Sequence, residues 1–78
     1  MLHELLITLS KGLVDDPSQV KVTHRDGEDG MIVYELHVAE PDMGKVIGKQ
    51  GRIAKAIRLV MKAAAARAGE KIQVDIVE

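Results

Sequence analysis

The spacing of the apolar residues in this 78-residue chain is helical, then alternating, then helical and then alternating again. This pattern determines which segments can form helices and which can form strands. Leucines at positions 2, 5, 6, 9 and 13 recur at helical spacing and predict a helix over residues 2–13. The turn Asp15-Asp16-Pro17 follows and ends it. Residues 20–25 and 32–38 alternate apolar with polar side chains, which predicts two strands. The segment between them holds two glycines and three acids, so the strands are predicted to form a hairpin.

The second half of the chain predicts two helices and a final strand. Pro41 suits the first position of a short helix that must end by Gly48. A longer helix follows Gly51, and Gly69 is well placed as its C-terminal cap. Alternation returns over residues 72–77. The apolar positions of the longer helix are Ala54, Ile57, Val60, Met61, Ala64, Ala65 and Ala68.

The predicted order is helix–strand–strand–helix–helix–strand in one domain over residues 1–78. A crossover of about 30 residues joins the second and third strands, and a connection of that length suits parallel neighbours. We therefore expect an α+β fold with two layers, in which the helices cover one face of a three-stranded mixed sheet. With one aromatic residue, Tyr34, the core must be built from aliphatic side chains and methionine.

Charge is distributed unevenly along the chain, although the formal net charge is only −1. Seven basic residues and no acidic residue lie between Met43 and Gly69. All twelve acidic residues and the other four basic residues lie outside that segment. Because nucleic-acid binders are marked by clustered Lys and Arg rather than by net charge, this segment is a candidate for binding a polyanion.

The loop Gly48-Lys49-Gln50-Gly51 connects the two predicted helices inside the basic segment. Glycine lacks a Cβ, so the chain can turn sharply there and another backbone can come close. The N–H groups and the dipole at the start of the second helix attract an anion. Arg52, Lys55 and Arg58 follow at a spacing of three, which puts them on one side of that helix. The same glycines could simply end one helix and begin the next, but the surrounding charge favours a phosphate chain as ligand.

The sequence V-I-G-K-Q-G-R-I-A-K-A-I-R, together with the element order, resembles the type II KH domains, and the whole chain is similar to the bacterial KhpA/YlqC-like family. The resemblance implies an RNA-binding protein whose GxxG loop clamps single-stranded RNA with little sequence preference. It also implies a cytoplasmic protein that pairs with itself or with a second KH protein, KhpB. The RNA-binding residues that it indicates are Ile47, Gly48, Lys49, Gln50, Gly51, Arg52, Ile53, Lys55, Ile57 and Arg58.

In that family pattern the loop and Lys49 hold phosphates, Arg52, Lys55 and Arg58 add attraction, and the isoleucines form an aliphatic groove for bases. The edge of the last strand, near residues 73–75, would be the far wall. KH domains place a large aliphatic residue three positions after the second glycine, where this chain has Ala54. Two arrangements remain open: Ile53 faces the groove with Ala54 in the core, or the helix is rotated.

A second hypothesis is a protein-interaction module in which the apolar first helix or the sheet edge docks a partner and RNA binding is incidental. Dispersed histidines and the lack of cysteine predict no metal site, no cofactor and no small-molecule substrate. No paired nucleophile and base is present, so we expect no enzyme activity. No apolar run approaches the roughly 20 residues of a membrane span, and the amino terminus lacks signal-peptide features, so we expect a cytoplasmic location.

Overall fold

The computed structural model describes residues 1–77 and has the predicted order of helices and strands. Short 3-10 turns fill most of the connections. The main elements are α1 (Leu2–Lys11), β1 (Lys21–Asp26), β2 (Ile32–His37), α2 (Met43–Ile47), α3 (Arg52–Arg67) and β3 (Ile72–Val77).

The three strands form one mixed sheet in the order β1-β2-β3. The β1-β2 pair is antiparallel, with Asp26 opposite Ile32, and the β2-β3 pair is parallel, with Ile32 opposite Ile72. Both pairings confirm the predicted hairpin and crossover. β3 is therefore an edge strand, and its outer edge lies beside α3, which packs on this strand.

The helices α1 and α3 pack side by side on one face of the sheet, with α1 on β1 and α3 on β3. The core between the layers is aliphatic apart from Tyr34, as predicted. The pKa of the Tyr34 hydroxyl is raised above its ordinary value, mainly because the group is buried and secondly because the negative charge of Glu70 disfavours its ionisation. The largest fully buried side chains are Leu6, Leu36, Val46, Met61 and Val74.

Two local features differ from the sequence-based expectation. The helix α1 ends at Lys11 rather than at residue 13, because the Leu13 N–H already bonds to the Ser10 carbonyl in a tighter turn. The alternation of β2 groups Val33 with the polar residues Glu35 and His37, yet Val33 is 4% exposed. The hairpin loop covers it: a Cβ on Gly27 would lie 3.1 Å from Val33 Cγ2.

Gly69 ends the helix α3, as predicted from the sequence. This glycine has φ +73°, and its N–H bonds to the Ala66 carbonyl. The Glu70 N–H reaches back to the Ala65 carbonyl at 2.9 Å. These two bonds satisfy carbonyls that a helix end leaves open, so the chain turns directly into β3.

The buried carboxylate of Asp42 fixes the start of α2 against the turn that follows α1. Its Oδ1 accepts a hydrogen bond from the Asp15 N–H at 3.2 Å and its Oδ2 accepts one from the Asp16 N–H at 3.0 Å. The Asp15 carboxylate in turn pairs with Lys45 Nζ on α2 at 3.1 Å. Residues far apart in sequence are thereby held together next to the helix that leads into the loop.

We predict that Asp42→Ala lowers the free energy of unfolding by about 2 kcal/mol, since hydrogen bonds to a charged group contribute about 1.5–3 kcal/mol. Urea unfolding followed by circular dichroism measures the loss. Glu40→Ala is the control, because Glu40 is an exposed carboxylate on the same turn, and it should change stability by less than about 0.5 kcal/mol. Equal stability of the two variants would contradict this account of Asp42.

Candidate nucleic-acid interface

The loop between α2 and α3 turns through three residues with positive φ: Gly48 (+75°), Gln50 (+59°) and Gly51 (+74°). It is held by its own backbone, since the Gly48 N–H bonds to the Gly44 carbonyl and the Gly51 N–H to the Gly48 carbonyl. Lys49 and Gln50 lie at its tip with exposed side chains. The loop is therefore compact and keeps both polar side chains in solvent.

Gly48 cannot be replaced without moving the backbone. Its ψ of 172° places it in a region that is essentially restricted to glycine. A Cβ there would overlap the Ile53 side chain and lie 2.9 Å from the Ile53 backbone nitrogen. Gly51 differs, because its ψ of 14° is ordinary left-handed backbone and a Cβ would meet nothing within 4 Å.

The start of α3 is arranged for an anion. Gly51 is its N-cap, no side chain caps it, and its first turn contains no acid. The N–H groups of a first helical turn lack partners within the helix and carry partial positive charge. Lys49 and Arg52, both exposed, flank this end of the helix. Backbone dipole and side-chain charge therefore act on the same point.

One side of α3, which we name the basic flank, carries Lys55, Arg58 and Lys62. The spacing of three and four residues puts them on one side of the helix, in line with Gly51. Arg58 marks where this side lies, because its Nε–H donates to the Val74 carbonyl of β3 at 3.1 Å. The basic flank therefore runs from the loop along the outer edge of the sheet.

The predicted groove isoleucines of α3 lie on its other side. Ile53 and Ile57 line an apolar depression of about 200 Å³ with Leu9, Leu13, Ala56 and Val60, which we name the α1/α3 apolar surface. Ile57 is only 4% exposed and is part of the core, so its side chain offers little surface to a base. Ala54 is buried. Ala54 therefore lies in the core, as in the first of the two arrangements left open. Ile53, however, faces α1 rather than the basic flank.

Ile47, the third predicted groove residue, lines a different cleft next to the loop. This cleft has a volume of about 510 Å³ and is lined by Val38, Glu40, Met43 and Ile47. Met43 and Ile47 are four residues apart and share a face of α2. The sequence-based prediction did not place Val38 or Met43 beside Ile47, although the spacing of Met43 from Ile47 could have indicated that contact.

Most basic side chains of the segment are available to a ligand. Lys45 pairs with Asp15 and Arg58 bonds to Val74, whereas Lys49, Arg52, Lys55 and Lys62 make no ion pair within residues 1–77. The same part of the chain holds no group of three or more possible metal ligands. None of its helices is both long and apolar enough to cross a membrane.

Comparison with known proteins gives one consistent result. The family model described as KhpA/KhpB, KH domain, matches residues 3–76. The chain is 54% identical over 76 residues to the RNA-binding protein KhpA of Clostridium acetobutylicum, covering 97% of this chain and all of that protein. It is 53% identical over 76 residues to the protein of the same name from Clostridium perfringens, with the same coverage.

Among solved structures, the chain is similar to part of Era from Aquifex aeolicus bound to GDP and aluminium fluoride. The TM-score is 0.62 and the sequence identity 21%. The match covers 96% of this chain but only 29% of that Era chain, so it concerns less than a third of that larger protein. At this identity the likeness shows a common fold.

We predict that Gly48→Ala disrupts the loop whereas Gly51→Ala is tolerated. Gly48→Ala should lower the free energy of unfolding by about 3 kcal/mol, through its glycine-only backbone conformation and the contact with Ile53. The matched variant Gly51→Ala should lose about 1 kcal/mol, the ordinary penalty of left-handed backbone. Urea unfolding gives both values, and amide chemical shifts of residues 47–53 report the loop. Similar losses in the two variants would rule out a special role for the Gly48–Ile53 contact.

Proposed function

This chain belongs to the KhpA/KhpB KH-domain family, and we propose that it is an RNA-binding protein that holds the backbone of single-stranded RNA with the loop Gly48–Gly51. The observation that carries the proposal is the compact loop at an uncapped, acid-free start of α3. The names of its relatives in two Clostridium species support RNA as the ligand. We further propose that it has no enzyme activity and acts post-transcriptionally in the cytoplasm.

The phosphates would lie against the loop backbone and the first turn of α3. Gly48 and Gly51 let the RNA backbone approach closely, since neither presents a Cβ to it. Lys49, Gln50 and Arg52 would contact phosphate oxygens, and Lys55 would extend the attraction along the basic flank. Such contacts do not distinguish bases and weaken as salt concentration rises.

The bases would lie in the cleft beside the loop, on the aliphatic side chains of Ile47 and Met43. The loop itself has no aromatic side chain, and the only Phe, Tyr or Trp of the chain, Tyr34, is buried in the core. Base stacking on an aromatic ring contributes about 1–3 kcal/mol per base where it occurs. Its absence here gives a single domain weak affinity. We assign Ile53 and Ile57 to the α1/α3 apolar surface and not to the base cleft, because of where their side chains lie.

We predict that Lys49→Asp combined with Gln50→Asp weakens binding of a labelled single-stranded RNA by more than about tenfold, since it removes a phosphate contact and adds two repelling charges. Fluorescence anisotropy at low salt measures this. The fold should survive, because Asp tolerates the left-handed backbone at position 50. The control combines Gln19→Asp with Lys21→Asp, which changes the same residue types at exposed positions away from the loop. Unchanged binding in the loop variant would disprove the proposal.

We also propose that the chain forms a homodimer, or a heteromer with a KhpB-like KH protein, through the α1/α3 apolar surface. Val60 and the adjacent Leu59 are 44% and 72% exposed, and Leu13 is 38% exposed. Ala56 and Ala63, also exposed, allow a second helix to approach closely. A strip on one helix can pair with its own copy across a two-fold axis, which is the commonest symmetry of protein dimers. Pairing would place two loops on one RNA and raise the affinity through avidity.

For this dimer we predict that Val60→Lys yields a monomer in sedimentation velocity, because a lysine charge would be placed in an apolar contact. Thr8→Lys is the matched control, since it introduces the same side chain at an exposed β-branched position of α1, and it should leave the dimer intact. The RNA affinity of the Val60 variant should fall to that of a single domain. A wild-type protein that stays monomeric at high concentration would refute the homodimer.

A further inference from the structure

Arg58 differs from the other basic residues around the loop. Lys49, Arg52, Lys55 and Lys62 are exposed, whereas Arg58 is half-buried. Its Nε–H donates to the carbonyl oxygen of Val74 at 3.1 Å, so the guanidinium is attached to the sheet. Within residues 1–77, no other basic side chain of the Met43–Gly69 segment makes a side-chain hydrogen bond to the backbone.

This bond fixes both the position and the orientation of the guanidinium. β3 is an edge strand, so the Val74 carbonyl that accepts the bond lies at the border of the sheet beside α3. The guanidinium is planar, and the use of Nε leaves the two terminal Nη groups to donate as a fork. Because the side chain is already ordered, a ligand that binds the fork would lose less conformational entropy than one that binds an exposed lysine.

The position of Arg58 favours a base over a phosphate. Arg58 lies about 9 Å along the helix axis from Arg52, at the start of α3 where the backbone of the RNA would be held. The cleft lined by Ile47 and Met43 would take the bases next to the loop, and a base further along α3 would meet the edge of β3 where Arg58 is attached. The planar fork of Arg58 matches a phosphate as well as the edge of a base. Its attachment to β3 and its distance from the loop, rather than the fork alone, therefore favour a base.

We propose that Arg58 recognises one base by its edge and prefers guanine or cytosine at that position over adenine or uracil. Two adjacent acceptors are needed to pair with both Nη groups. Guanine offers O6 and N7, the commonest partners of Arg, and cytosine offers O2 and N3 when it is unpaired. On these edges adenine and uracil have no two adjacent acceptors. The inference rests on the proposed RNA binding at the Gly48–Gly51 loop and adds a base preference at one position.

The test uses short RNA pools in which one position is fixed as A, C, G or U and the others are random. Binding of each pool to the full-length protein is followed by anisotropy over a range of salt concentrations. We expect guanine or cytosine at one position to bind about tenfold more tightly than adenine or uracil. Arg58→Lys keeps the charge but loses the fork, so it should abolish the preference and leave the salt dependence unchanged.

Lys55→Gln is the matched variant on the same flank. It should keep the preference while lowering the slope of log K against log salt by about 0.7, the contribution of one phosphate contact to a single strand. If Arg58→Lys retains the preference, or wild-type protein binds all pools equally, Arg58 does not recognise a base. If Arg58→Gln only lowers the salt slope, Arg58 is a phosphate contact. Absence of binding to every pool would instead refute the proposed function, and this inference with it.

Discussion

The close approach of Gly48 to the backbone of Ile53 is the constraint on which the site depends. With no Cβ at position 48, the end of α2 can lie against the first turn of α3. This contact sets where α3 starts and leaves Lys49 and Gln50 at the tip of a loop that contains little side-chain bulk. A larger residue at position 48 would push α3 away, so the loop tip and the positive end of the helix would no longer lie together.

The helix α3 separates two surfaces because of how it lies on the sheet. Its buried side contains Ala54, Ile57, Met61 and Ala65, and the helix packs on β3. Since α1 lies on one side of α3 and the sheet border on the other, the flanks have different neighbours. The flank next to α1 is apolar, and the flank next to the outer edge of β3 is basic. Ile53 and Arg58 are five residues apart, about 140° around the helix, which is enough to put them on opposite flanks.

The element order, the sheet pairing and the loop between two helices could be predicted because each depends on a local pattern. Periodicity identified the helices and strands, and Gly69 identified the end of α3. The burial of Val33 could not be predicted, because it depends on the way the hairpin loop folds over the sheet. The bonds from Asp42 to the turn at residues 15–16 join distant segments, and no local pattern indicates them. The family pattern likewise placed Ile57 with Ile47, but only the packing of α1 and α2 shows that they face different neighbours.

This separation has a consequence for affinity. Under the proposed function, a single loop without aromatic side chains would hold RNA mainly through the RNA backbone, and such binding would be weak and sensitive to salt. If the apolar flank pairs with another KH domain, the basic flank remains accessible, since the two lie on opposite sides of α3. The second loop would then bind the same RNA as an intramolecular step, and affinity would increase without any new contact at either loop. A domain of this size could therefore bind RNA usefully, because the helix that positions the loop also carries the apolar surface through which we propose that a partner docks.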